Sequence, residues 1–146
     1  MNTEVMRWLE EDGKKFLKEV GIENGQTVLD FGCGEGHYSI PVSSIAEKVY
    51  AMDKDKGVLD TLNETSILYG IRNIELMNED SKIPLNDNTI DVVLCYDVLH
   101  YGDAGKRKEI YSEISRVLTE KGLFSVYPKH HRKDYPLMEL AEVNVE

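Results

Sequence analysis

Apolar positions along the chain switch between two spacings, and this alternation predicts five strands separated by helices. Short apolar runs typical of buried strands are predicted at residues 27–31, 48–53, 73–77, 90–96 and 122–127. Apolar residues at helical spacing are predicted at 5–20, 39–47, 56–68, 106–118 and 136–143. Strands that alternate with helices form a parallel sheet with helices on both faces and right-handed crossovers. The expected fold class is therefore α/β, a doubly wound and mostly parallel sheet.

The whole chain, residues 1–146, is expected to form a single domain, because this length buries one modest core. Residues 1–24 are predicted as an N-terminal helix that ends near Gly21, and residues 25–128 as a ligand-binding core. Residues 129–146 form a C-terminal segment.

The first strand passes directly into a loop with glycine at every second position, VLDFGCGEG at residues 28–36. Glycines let the chain turn sharply and bring bare backbone close to a ligand. The N–H groups of the helix that follows can face that ligand. The pattern predicts a nucleotide-type site at the carboxyl edge of a parallel strand.

The glycine spacing disfavours a nicotinamide-dependent oxidoreductase, whose fingerprint is G-x-G-x-x-G. Counted from Gly32, the third glycine would fall at His37, and counted from Gly34 it would fall at Ser39. Asp30 also stands where a pyrophosphate would bring further negative charge. An acid at that place suits a cationic ligand group such as an amino group.

Asp53 ends the second predicted strand, 21 residues after Gly32. A carboxylate suits a ribose diol because each of its two oxygens can accept a hydrogen bond. The alternative is an acid in a solvated loop. As a site residue, Asp53 is expected to contribute little to stability without ligand.

Further motifs follow the glycine loop in order, and together they cover residues 26–128. The chain resembles the class I S-adenosylmethionine-dependent methyltransferases, whose first motif is V-L-D-x-G-C-G-x-G. Residues 51–53 are similar to the end of the family's ribose-binding strand, and residues 83–93 to its L-P-x-x-D-x-x-F-D-x-V, with Ile90 in place of phenylalanine. Residues 97–101 are similar to E-V-L-H-H, and 114–122 to R-V-L-K-P-G-G. The subgroup that it resembles most contains the ubiquinone/menaquinone-biosynthesis-type small-molecule methyltransferases.

The resemblance implies a Rossmann-like sheet of order 3-2-1-4-5 and S-adenosyl-L-methionine as the cofactor. It implies that Asp30 and backbone near Gly32 and Gly34 hold the methionine amino group, that Asp53 holds the ribose, and that backbone at Cys95 lines the methionine side. Aligned on Pro84, the adenine position falls on Glu79, with Asp80 an equal alternative. The predicted cofactor-binding residues are Asp30, Gly32, Cys33, Gly34, Gly36, Asp53, Lys54, Glu79, Asp80, Ser81, Cys95 and Tyr96. The family's sheet ends in an antiparallel strand pair, which this sequence is expected to lack, either as a truncated or as a naturally short chain.

Methyl transfer needs few catalytic side chains, because the methyl group is already activated on the sulfonium. The protein supplies proximity and a dry pocket. A base is needed only where the acceptor must lose a proton. The candidates are Tyr96, His100, Tyr101, His130 and His131, but packing or a solvated loop explains each of them better. No catalytic residue is therefore assigned, and no spacing typical of metal ligands is present.

The composition of the chain limits the kinds of molecule that it is expected to bind and where it is expected to work. A net charge of −10 argues against a large nucleic-acid footprint but does not exclude a local one. The resemblance implies a small-molecule methyl acceptor as the partner. The apolar runs are too short to span a membrane. Cys33 and Cys95 are the only cysteines, which fits a reducing, cytoplasmic location. The fifth strand, 123–127, is expected at the sheet edge, where self-association is possible unless residues 133–146 fold back over it or a longer protein supplies the cover.

Two functions remain open beside the disfavoured oxidoreductase. The first is a methyltransferase that acts on a small molecule. The second is a non-catalytic S-adenosylmethionine-binding module that needs a partner or a further C-terminal segment.

Overall fold

The computed structural model describes residues 1–96 and 103–127, and it contains the predicted alternation of strands and helices. The helices are α1 (Thr3–Arg7), α2 (Gly13–Val20), α3 (Ser39–Val42), α4 (Lys56–Leu68) and α5 (Ala104–Val117), with a π-helical turn, Trp8–Asp12, between α1 and α2. The strands are β1 (Thr27–Phe31), β2 (Lys48–Asp53), β3 (Ile74–Asn78), β4 (Ile90–Tyr96) and β5 (Leu118–Tyr127). The helix predicted at 136–143 and the expected absence of an antiparallel pair lie outside the described residues.

The five strands form a single parallel sheet of order β3-β2-β1-β4-β5, which confirms the predicted fold class. β1 lies in the middle, where Asp30 pairs with Ala51 of β2 and with Leu94 of β4. Strand order reverses between β1 and β4, and ligands bind outside the carboxyl ends of strands at such a switch point. The topology therefore places the glycine loop at the edge where a ligand is expected.

Side chains of the central strands alternate between two apolar layers, as the period of two requires. Leu29 and Val93 face a cluster that includes Ile114 of α5. Val28 and Val92 face the opposite cluster, which α2 and α3 complete. Because both faces of β1 and β4 are covered, the side chains toward the carboxyl ends of these strands are buried.

Helix boundaries follow local capping chemistry. The Asp55 carboxylate accepts the backbone N–H of Gly57 at 2.8 Å and starts α4, and Asp103 accepts that of Lys106 at 2.8 Å and starts α5. Gly21, with φ 116°, ends α2 at the predicted position.

The helix predicted at 39–47 is wrong beyond Val42. The Ser43 hydroxyl donates to the Ile40 carbonyl at 2.6 Å, and the Ser44 hydroxyl donates to the Pro41 carbonyl at 3.1 Å. Serine hydroxyls that bond nearby carbonyls compete with the helical hydrogen-bond ladder. The chain therefore leaves the helix after one turn.

The predicted helix at 5–20 is confirmed except at its centre, where the sequence pattern did not indicate the π-helical turn. The N–H of Gly13 donates to the Trp8 carbonyl five residues earlier. A Cβ on Gly13 would lie 2.7 Å from that carbonyl oxygen and 2.9 Å from Pro41 Cγ. The missing side chain at Gly13 thus permits both the turn and its close contact with α3.

β5 begins at Leu118, four residues before the predicted start at Gly122. The pairing with β4 shifts register between Ile90 and Val92, so the first residues of β5 form an irregular extension of the strand.

Arg116 fastens the irregular link between β3 and β4 to α5. Its guanidinium donates to Glu113 at 2.8 and 3.2 Å, to the carbonyls of Ile83 and Leu85 at 2.7 and 2.8 Å, and to Asp87 at 2.8 Å. Glu113 in turn accepts the Ile83 N–H at 2.8 Å, and hydrogen bonding to Arg116 lowers its pKa. All five arginine donors are therefore used to hold this link, which follows the end of β3.

Candidate functional site

The glycine loop is bonded to the end of β2. The N–H groups of Gly32 and Cys33 both donate to the Met52 carbonyl, at 2.8 and 2.9 Å. The N–H of Gly34 donates to Asp53 Oδ2 at 2.9 Å. These bonds bring the predicted loop and the predicted ribose-binding acid into direct contact.

Two loop glycines are needed for different reasons. Gly34 has φ 55°, and a Cβ there would meet no atom within 4 Å, so the space above it is free. Gly36 has φ 96° and is buried, and a Cβ there would collide with Leu62 Cδ1 of α4. The predicted approach of bare backbone to a ligand fits Gly34, whereas packing alone accounts for the glycine at position 36.

Gly34→Val and Gly36→Val are expected to separate these two roles. The first adds a left-handed strain of about 1–2 kcal/mol but no clash at Cβ, so a folded protein should lose affinity for S-adenosylhomocysteine, the demethylated product of the implied cofactor. The second should prevent native packing. Thermal unfolding and calorimetric titration measure the two effects, and wild-type affinity in Gly34→Val would contradict the assignment of the loop.

Asp53 holds the loop and also faces solvent. Besides the Gly34 N–H on Oδ2, its Oδ1 accepts the Asp55 N–H at 2.9 Å, while the side chain stays partly exposed. Each carboxylate oxygen can accept a second hydrogen bond. These two backbone bonds argue against the expectation that Asp53 matters little without ligand, and unfolding of Asp53→Ala tests it.

Asp30 lies at the end of β1 with 1% of its surface exposed. The Ser39 hydroxyl donates to its Oδ2 at 2.6 Å. Burial raises the pKa of Asp30 to about 6, and the nearby Asp53 charge adds to the rise, while hydrogen bonding from Ser39 opposes it. A cationic partner would strongly stabilise the ionised form of a carboxyl buried in this way.

Cys33, Cys95 and Tyr96 form a neutral lining around Asp30. Burial, with the Asp30 charge adding to it, raises the pKa of both thiols well above the usual range, so neither is a thiolate at neutral pH. Burial also raises the pKa of Tyr96 to about 12, and its hydroxyl lies 2.6 Å from Ser125 Oγ. Tyr96 is therefore poorly suited as a base.

The other base candidates, His100, Tyr101, His130 and His131, lie outside the described residues.

Two of the three predicted residues after β3 bond to α5. Asp80 accepts from Lys106 Nζ at 3.0 Å, and the buried Ser81 donates to Glu109 at 3.0 Å. Glu79 lines a cavity of about 570 Å³ between the β3–β4 link and α5. The structure thus brings together the predicted residues of β1, β2 and β4, and the three residues after β3 form a separate group.

Lys54, also in the predicted set, is exposed, and its carbonyl accepts from Asn78 Nδ2 at 3.1 Å. The same amide donates to the Asp53 carbonyl at 3.0 Å and so fixes the end of β2. Sequence reasoning missed this role of Asn78 and the bond of Ser39 to Asp30. The position of Asn78 at a strand end, one strand from Asp53, was the available signal.

Among residues 1–96 and 103–127, no three or more His, Cys, Asp or Glu side chains are grouped to hold a metal ion. The helices within the same residues are all too short or too polar to cross a membrane.

Residues 29–126 match the family profile of a methyltransferase domain. A probable S-adenosylmethionine-dependent methyltransferase of Mycolicibacterium smegmatis is 31% identical over 103 residues, which cover 70% of this chain and 37% of that protein. A probable ribosomal RNA small subunit methyltransferase A of Methanosphaera stadtmanae is 32% identical over 65 residues, 44% of this chain and 24% of that protein. The chain thus spans well under half the length of either relative.

Among solved structures, a SAM-dependent methyltransferase from Aquifex aeolicus superposes with a TM-score of 0.77 and 26% identity. The superposition covers 94% of this chain and 81% of that one, so the similarity extends over nearly the whole sheet and its helices.

Proposed function

The chain belongs to the methyltransferase domain family, and we propose that it binds S-adenosyl-L-methionine and transfers the methyl group to a small-molecule acceptor. Family membership confirms the predicted class, a class I S-adenosylmethionine-dependent methyltransferase domain, and with it the cofactor. The observation that carries the proposal for this site is the 2.9 Å bond between the Gly34 N–H and Asp53, one strand away from the buried Asp30.

The residues present fit this cofactor. Asp30 supplies a buried carboxylate for the methionine ammonium, and the partly exposed oxygens of Asp53 suit a ribose diol. Gly34 leaves free space where a side chain would otherwise stand. Cys95 and Tyr96 contribute an uncharged, buried wall.

When bound, S-adenosylmethionine supplies a methyl group that is already activated on sulfur. The chain's own task is to orient that group and to exclude water. Asp30 would hold the methionine ammonium and Asp53 the ribose diol. The buried carboxyl end of β4 keeps water out of the pocket. For the adenine side we propose Glu79 or Asp80, with Lys54 and Ser81, on the resemblance alone, because the described bonds of Asp80 and Ser81 run to α5.

A small-molecule acceptor of the kind used by the ubiquinone/menaquinone-type subgroup is proposed on the motifs at 83–93 and 97–101. The net charge of −10 disfavours the long phosphate backbone of a nucleic acid. One relative is named for ribosomal RNA, so the exclusion of nucleic acid stays a prediction.

Calorimetric titration is expected to show one S-adenosylhomocysteine site per chain and no heat with NAD. The reason is the acid pair, which suits an ammonium and a diol but opposes a pyrophosphate. A thermal-shift assay under the same conditions serves as the second readout. Binding of NAD alone, or of neither ligand, would overturn the proposal.

Turnover separates the enzyme from a non-catalytic binding module. Methyl transfer from labelled cofactor is measured over a panel of small phenols and quinols, with ribosomal RNA as a separate arm. Transfer to a small molecule supports the proposal, transfer to RNA alone replaces the acceptor, and binding without any transfer favours the module.

We further propose that a second copy of the chain pairs with the outer edge of β5. In the described ranges no strand lies beyond β5, and an exposed edge presents unpaired backbone groups. Leu123 and Phe124 on this strand are only partly buried.

Sedimentation over a concentration series is therefore expected to show a monomer–dimer equilibrium. Amide exchange in β5 should slow as the concentration rises. A monomer at every concentration, with unchanged exchange in β5, would refute this pairing.

The single-domain organisation over residues 1–146 stays a prediction. So does the cytoplasmic location, for which the two free thiols of Cys33 and Cys95 are the support.

A further inference from the structure

The N-terminal arm, residues 3–20, is bonded directly to the glycine loop. The indole N–H of Trp8 donates to the carbonyl oxygen of His37 at 2.6 Å, although the two residues are 29 positions apart. His37 is the last residue of the loop before the α3 entry. One hydrogen bond thus connects the arm to the backbone that carries Gly34.

The π-helical turn presents the arm to this loop. π-helical turns are rare in proteins, but those that occur are often found at functional sites. Here the turn places Trp8 at the loop exit and Leu9, 5% exposed, in a cluster with Cys33 and Ile40. Gly13, at the end of the turn, packs closely on Pro41. The arm therefore contacts the loop on both sides of Gly36.

The same tryptophan connects the loop to the end of β4. The ring of Trp8 meets the Tyr38 ring edge-on at 5.8 Å between centroids, and Tyr38 meets Tyr96 at 4.5 Å. Tyr96 lies in the wall proposed for the methionine side. A displacement of Trp8 would thus affect both the loop after β1 and the carboxyl end of β4.

We propose that Trp8 is a positioning residue for the cofactor, which it serves by fixing the glycine loop through the His37 carbonyl. The inference rests on the proposed function, because the loop must be the cofactor site for its geometry to matter. Coupling between two binding events is reciprocal. Cofactor binding should therefore hold the arm more firmly, just as the docked arm favours cofactor binding.

The competing explanation is that Trp8 only contributes packing. Another bond of the same arm allows the two to be told apart. The Tyr69 hydroxyl of the α4 end donates to Glu10 at 2.8 Å, and so ties the π-helical turn to α4 without contact to the loop. Removing it loosens the arm by one hydrogen bond and leaves the Trp8–His37 bond in place.

The test compares Trp8→Phe with Tyr69→Phe, and adds a protein with 3-benzothienylalanine at position 8, which keeps the indole shape but lacks the N–H. We expect the two position-8 variants to bind S-adenosylhomocysteine about five- to tenfold more weakly. Tyr69→Phe should stay within about twofold of wild type at a similar unfolding midpoint. Equal weakening in Tyr69→Phe, or wild-type affinity in the benzothienyl protein, would overturn the inference.

Amide exchange without ligand tests the structural half separately from the proposed function. The amides of residues 33–40 should exchange faster in Trp8→Phe than in Tyr69→Phe, and equal rates would refute the positioning role. Failure of the wild-type protein to bind the ligand, by contrast, would remove the proposed function. Trp8 is the only tryptophan, so its emission should change with the calorimetric affinity in the wild type, and an unchanged emission counts against coupling.

Discussion

Asp30→Asn is expected to stabilise the unliganded protein at pH 7 and to flatten the dependence of its stability on pH. The folded state raises the pKa of Asp30 from 3.8 to about 6. Between these values the folded protein keeps a proton that the unfolded chain has released, so stability falls as pH rises. The contribution is fully present below pH 4 and is lost as pH rises through about 6.

The rise in pKa corresponds to about 3 kcal/mol of unfolding free energy in total, most of which is lost between pH 4 and pH 7. Asparagine keeps an acceptor for Ser39 without a titratable proton, so denaturant unfolding of the variant should lack this slope. Glu35→Gln, which removes an exposed carboxylate of the same loop, is the control and should keep the wild-type slope. An unchanged slope in Asp30→Asn would mean that burial does not perturb this carboxyl.

The same substitution should weaken S-adenosylhomocysteine binding about ten- to hundredfold, since a charged hydrogen-bond partner of the ammonium is lost. Higher stability together with weaker binding in Asp30→Asn would show that Asp30 destabilises the unliganded fold and serves to bind the ligand. Undiminished binding would assign the ammonium to another residue.

Asp53→Ala is expected to lose both cofactor affinity and stability. Two charge-assisted ribose contacts, about 1.5–3 kcal/mol each, correspond to a loss of at least a hundredfold in affinity. The N–H groups of Gly34 and Asp55 also lose their acceptor, at a cost of about 1 kcal/mol each in this partly exposed place.

Denaturant unfolding and calorimetry measure the two losses. Asp60→Asn is the matched control, because its ion pair with Lys56 on α4 is exposed to solvent and contributes little. Loss of stability with full affinity would leave Asp53 as a loop anchor only, and full stability with lost affinity would show that the loop does not depend on it.

Periodicity predicted the strand pattern because β1 and β4 are covered on both faces, which requires continuous apolar runs. It failed after Val42, where two serine hydroxyls end the helix through bonds that no apolar pattern encodes. The π-helical turn was missed for a similar reason. The turn depends on the absence of a side chain at Gly13 against Pro41, a tertiary contact between distant parts of the chain.

The sequence motif indicated which residues of β1 and β2 lie together at the candidate site. Gly34 and Asp30 were predicted by their place in the motif, and their ligand contacts stay predictions. Asp53 was predicted as a ribose acid, but its bonds to two backbone N–H groups depend on how the loop folds back on β2. The bonds of Asp80 and Ser81 to α5 depend likewise on a partner some 25 residues away in sequence.

The five occupied donors of Arg116 limit which residues this position tolerates. A lysine carries the same charge, but it has three donors on one nitrogen and cannot span the carbonyls of Ile83 and Leu85 and the carboxylates of Glu113 and Asp87 together. Arg116→Lys would preserve the charge but leave backbone carbonyl oxygens of the link between β3 and β4 without a hydrogen-bond donor. At this position the shape of the cation, more than its charge, determines which substitutions are conservative.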